Sequence, residues 1–143
     1  MPNVHPLFVH IPIPLLSLGI LFEMVALFRK RDDLSRFGWW LQLLGTLGLA
    51  GAVVSGLMAE GTVTFSKGGR EIFTFHEQIA LVVATLFGLL LFWRLGTRGR
   101  VPPQYKRIYV LVYLLGVLAL WVGAWYGGEM VYTFGTGVHF PPH

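Results

Sequence analysis

Residues 108–126 read IYVLVYLLGVLALWVGAWY, nineteen consecutive positions without a charge or a proline. A helix crosses the roughly 30 Å hydrocarbon core of a bilayer with about 20 apolar residues, so Ile108 to Tyr126 is a membrane span. Three further runs qualify on the same ground: Leu7 to Phe28, Phe37 to Ala59 and Phe75 to Trp93. The segments joining them are too short for a separate domain. Residues 1–143 are therefore expected to form a single all-α integral membrane domain, a bundle of four transmembrane helices. Composition agrees, since 55% of the chain is hydrophobic, 13% is charged and the mean hydropathy is +0.64. No ordinary soluble domain has that balance.

The formal charge is +4, and its placement decides what it means. Arg29, Lys30, Arg31 and Arg36 lie between the first two spans, and Arg94, Arg98, Arg100, Lys106 and Arg107 between the last two. These are nine of the eleven basic residues. Clusters in short connections are topology signals, not a nucleic-acid surface. The positive-inside rule then makes these connections cytoplasmic and puts both termini and the loop from Glu60 to Thr74 outside, as in a multi-pass protein of the bacterial inner membrane with periplasmic ends. The first span has no basic segment before it and is followed by its positive charges, so it is expected to stay as an anchor and not to act as a cleaved signal peptide.

Lipid gives helices no hydrophobic reason to associate, so close backbone contact at small residues must supply it. Gly48, Ala52 and Gly56, Ser55 and Ala59, and Gly123 and Gly127 recur at four-residue spacing, each set able to seat a neighbouring helix or the flat face of a cofactor. Trp39, Trp40, Trp93, Tyr105, Trp125 and Tyr126 fall at span ends, where amphipathic rings favour the headgroup level. In the outer loop, Thr62 to Phe65, the turn Ser66-Lys67-Gly68-Gly69, and Arg70 to Phe75 suggest a short hairpin over the end of the bundle. The outer C-terminal tail, Gly127 to His143, is rich in Gly, Pro and aromatics and reads as an ordered cap without regular helix.

Cysteine is absent, which leaves histidine as the strong ligand for a transition metal or haem iron. All five histidines lie on the outer side: His5 and His10 at the start of the first span, His76 at the start of the third, His139 and His143 in the tail. For each, an interfacial polar role is the plain alternative. His5 and His10 would be about 140° apart on one helix, so one ligand per helix is the natural arrangement, and His10 with His76 is the favoured pair. Thr74-x-x-Glu77 has the form of a capping box, which would place His76 in a first helical turn where the helix dipole keeps imidazole neutral. Pro12 and Pro14 cannot donate to the carbonyls of Phe8 and His10, so a kinked helix from about Leu7 is expected, with the freed carbonyls and His10 turned inward.

At these residues the chain resembles a bacterial membrane family, domain of unknown function 2231. The opening His5-Pro6-Leu7-Phe8-Val9-His10-Ile11-Pro12 matches H-P-x-x-V-H-x-P, and Gly127-Gly128-Glu129-Met130-Val131-Tyr132 resembles its ending. The likeness covers essentially the whole chain, and a histidine opening the third helix, as His76 does, is common in the family. Many members carry a histidine shortly after the Val-Tyr pair, where this chain has Phe134. The layout is similar to small di-histidine b-type cytochrome domains, an analogy of architecture.

The leading functional expectation is a haem b subunit passing electrons near the outer face. His10 and His76 would be axial ligands, His5 or His139 would serve a second site or bond a propionate, and Arg70 or Lys67 would pair with propionates. Its partners would be other membrane subunits, a periplasmic redox protein or quinol, with the lipid bilayer as solvent. The alternatives are a cofactor-free accessory or assembly subunit docking through its small-residue faces, and a copper or zinc site using His5, His10, His139 and Glu60 or Glu129. Only Glu23, Gln42, Thr46 and Thr85 interrupt the apolar cores, which disfavours a transporter. Glu23 is expected to reach Arg29 or Lys30, or to bond Gln42. No nucleophile–base pair, phosphate loop or paired catalytic carboxylates occur, so no catalysis of its own is expected.

Overall fold

The structure, a computed structural model, describes residues 5–61, 63 and 65–136. The tail histidines His139 and His143, and Thr62 and Thr64 of the expected hairpin, lie outside the described residues. The chain forms helix α1 (His5–Val9), α2 (Pro12–Arg29), α3 (Asp32–Glu60), α4 (Gly69–Gly96) and α5 (Lys106–Tyr132), the last entered through a 3-10 turn at Pro103–Tyr105. The apolar runs of α2, α3, α4 and α5 are each long enough to cross a membrane. They form an up-down bundle in which α2 and α4 each pack on both α3 and α5, while α1 lies on α3. The α2–α3 and α4–α5 connections meet at one end, which carries the basic clusters. His5 and His76 lie at the other end.

The helices contain the expected spans, with three differences of physical origin. The first span is interrupted, not kinked. Pro12 opens α2 as its first residue, a place where a missing N–H costs nothing, and α1 closes just before it with the Ile11 N–H on the Phe8 carbonyl at 3.3 Å. Secondly, α4 begins at Gly69, so Arg70 to Phe75 are helical and not the second arm of a hairpin. The Thr74 hydroxyl donates to the Arg70 carbonyl one turn back, at 3.0 Å, and is no cap. Thirdly, α5 runs on to Tyr132, so the tail is helical for its first six residues before Gly135, at φ +62°, ends the run.

The interior is a column of Leu16, Ile20, Leu49, Val83, Phe87, Tyr113 and Val117. The exterior is apolar too, with Phe28 and Phe92 more than 70% exposed, as expected of side chains whose solvent is lipid. Glycines let the helices approach. A Cβ at Gly45 would lie 2.7 Å from Leu16, and one at Gly116 would lie 2.5 Å from Leu86. Gly48 and Gly56 receive Ile11 and His5, and Gly123 and Gly127 receive Ile79 and His76. The glycines of these small-residue faces are thus filled by side chains of the same chain, which leaves little there for a docking subunit or a porphyrin face.

Candidate functional site

Two polar clusters stand out from the apolar bundle, one at each end. At the histidine end, His76 sits two turns into α4, half-buried, with its ring against Gly127 of α5. Its Nδ1 is 2.8 Å from the Gly123 carbonyl oxygen, which can only accept, so Nδ1 carries the proton. In the neutral ring the lone pair then lies on Nε2. The sequence suggests a first helical turn whose dipole keeps this ring neutral; the ring instead lies two turns into α4, on the Gly123 carbonyl.

His5 lies at the same end of the bundle, close enough for the two histidines to interact electrostatically. His5 opens α1, and its ring rests on Gly56 of α3, where a Cβ would come within 3.1 Å of it. The Ser55 hydroxyl donates to the Ala52 carbonyl at 3.0 Å and lies 3.1 Å from His5 Nδ1. Burial pushes the His5 pKa down and the nearby His76 pushes the same way, against a hydrogen bond with the Ala52 backbone. His10 falls in the turn between α1 and α2 and is exposed. It stands at the break before Pro12, where the chain passes from α1 into α2.

The other expected site residues do not join the pair. Arg70 is exposed, with its guanidinium carbon 5.5 Å from the centre of the Phe65 ring. Among the described residues no three of His, Asp and Glu gather as metal ligands, so Glu60 and Glu129 form no such cluster with His5 or His10. Two neutral imidazoles are too few for a bare zinc or copper ion, which wants three or four protein donors. They suffice for an iron that arrives with four ring nitrogens.

The cluster at the basic end was missed in the sequence. Arg94, counted there among the loop charges, is 1% exposed, and Glu23 is 0% exposed. Arg94 Nη1 pairs with Glu23 Oε1 at 2.5 Å and donates to the Tyr109 hydroxyl at 2.8 Å and to Gln42 Oε1 at 3.2 Å. Its Nη2 donates to the Ser35 carbonyl at 2.7 Å, and its Nε donates to the Gly99 carbonyl at 3.0 Å. Ser35 Oγ completes the ring by donating to Glu23 Oε2 at 2.8 Å. Gly38 makes room for the acid, since a Cβ there would lie 2.6 Å from Glu23 Oε1. The guanidinium therefore ties α2, α3, α4 and α5 together and leaves no donor spare for a ligand. A buried carboxylate without a cation is too costly to leave in place, and Glu23, an acid well inside the first span, was the signal that a buried partner existed.

In comparisons with known proteins, a family model described as predicted membrane protein (DUF2231) matches residues 1–139. No curated protein and no solved structure matches the chain.

Proposed function

We propose, from the premise that the chain belongs to the DUF2231 family of predicted membrane proteins, that it is an electron-transfer subunit binding haem b through His5 and His76. The observation carrying this reading is that two half-buried imidazoles from different helices stand at one end of the bundle, near enough to interact electrostatically, each with Nδ1 engaged in a hydrogen bond. Such outer bonds fix tautomer and ring orientation in metal-ligating histidines and raise their basicity. The glycine seats at Gly56 and Gly127 hold the rings against backbone, so ring position follows helix position. Bound there, haem would supply one-electron chemistry; the chain's own residues hold and orient the two rings.

In this reading the basic end faces the cytoplasm of a bacterial inner membrane and the histidine end faces the periplasm. Electrons would pass to or from another membrane subunit, a periplasmic redox protein or quinol. The test is an absorption spectrum of the protein purified from haem-replete membranes. A Soret band with sharp bands on reduction is expected, lost in His5→Ala and His76→Ala and kept in His10→Ala. A colourless protein without extractable haem defeats the reading and leaves a cofactor-free accessory subunit, although the small-residue faces invoked for docking are filled from within the chain.

A further inference from the structure

At the basic end, α3 and the turn following α4 frame a cleft walled by Arg36, Trp39, Trp40, Arg98, Gly99 and Arg100. The turn is firmly built. Gly99 N–H donates to the Arg94 carbonyl at 2.7 Å, Arg98 N–H to Leu95 at 3.0 Å, and Arg100 N–H to Thr97 at 3.2 Å. Arg98 takes φ +55° and Gly99 φ +77°, a left-handed conformation that arginine rarely adopts and that persists only where its surroundings impose it. Gly99 presses its backbone on the Trp39 indole, where a Cβ would lie 3.2 Å from Nε1. Trp39 in turn lies beneath the Arg94 guanidinium, 5.4 Å from the ring centre. The buried network thus sets the positions of one indole and of the turn that carries two arginines.

The charge in this cleft is uncompensated. Among the described residues, the ion pairs join Arg31 to Asp33, Lys106 to Asp32 and Arg94 to Glu23, so Arg36, Arg98 and Arg100 have no carboxylate partner. Asp33, which lines the adjoining hollow with Arg36 and Trp40, is occupied by Arg31. Phe37, Trp40 and Leu44 lead away from the cleft along one face of α3, each at least half exposed. They give an acyl chain an apolar track that begins at the arginines. We infer that this cleft binds the headgroup phosphate of an anionic phospholipid, with the guanidinium groups on the phosphate oxygens, the indoles at the glycerol level and a chain along α3. Guanidinium forks match phosphate geometry, and basic pockets at the ends of membrane helices recognise anionic headgroups. The apolar track selects a lipid over free phosphate.

The experiment is lipid retention by the full chain in detergent, read by native mass spectrometry after addition of phosphatidylglycerol or phosphatidylcholine. Phosphatidylglycerol should be retained preferentially. Each arginine near a membrane surface contributes about fivefold in affinity. Arg36→Gln with Arg98→Asn and Arg100→Gln should therefore lower retention by up to about a hundredfold; Asn is chosen because it tolerates the left-handed backbone. A charge-matched control, Arg29→Gln with Lys30→Gln and Arg107→Gln, should retain the lipid nearly as the parent does. Unchanged helical circular dichroism establishes that both variants fold. Equal retention of the two lipids, equal loss in the control, or displacement by millimolar inorganic phosphate overturns the inference.

Discussion

The two ends of the bundle use polar side chains in opposite ways. At the basic end every long helix contributes to one buried assembly, and the Arg94 donors all meet acceptors inside the chain. At the histidine end the two imidazoles are held separately, His76 Nδ1 on the Gly123 carbonyl and His5 Nδ1 beside the Ser55 hydroxyl. A saturated network resists ligands and fixes helix positions. Of the two ends, the deeper and more charged cluster is the saturated one.

This contrast can be broken most forcefully at its centre. Arg94→Met leaves Glu23 buried without its cation and should destabilise the bundle by about 3–5 kcal/mol, with Glu23→Met plus Arg94→Met recovering much of the loss. Thermal unfolding in detergent reads both, and additive losses would mean that the pair is not coupled. Next in size is Tyr109→Phe, which takes a partner from Arg94 and Gln42 and should cost about 1–3 kcal/mol. At the other end, Gly56→Ala crowds the His5 ring and should cost about 1 kcal/mol, while shifting the His5 imidazole resonances more than those of His10. An unmoved His5 would remove the glycine seat.

A smaller effect follows from pH. The His5 pKa lies below its ordinary 6.5 in the folded protein, so the unfolded chain binds more protons in that range and stability rises with pH. The His5 contact is intact above pH 6.5 and is lost as the pH falls through the lowered value. Amide exchange of α1 should accelerate there; exchange unaffected between pH 7 and 5 would count against a neutral, packed ring. The smallest expected effect is at Tyr113, whose buried hydroxyl has no hydrogen-bond partner among the described residues and lies against Gly19. Tyr113→Phe should change stability by less than about 0.5 kcal/mol or raise it slightly, which sharpens the comparison with Tyr109 one turn away.

The four spans were legible because their length and apolarity are set by the bilayer. The chain path at Pro12 was not legible: a kink and a break use the same residues and differ only in whether the helix restarts. Arg94 was hidden by its neighbours, for beside Arg98 and Arg100 it has the appearance of one more loop charge. Its burial depends on Glu23, seventy-one residues earlier, and no local pattern carries a pairing at that distance.

That separation also orders events during biosynthesis. Glu23 belongs to the first long helix and Arg94 to the third, so the acid enters the membrane before its counter-charge has been translated. Until then the young hairpin of α2 and α3 must keep a carboxyl side chain in or near lipid, at a cost of about 2.5–3.5 kcal/mol if ionised at the helix centre. The bundle can lock only once α4 has left the ribosome and brought its guanidinium to the same depth.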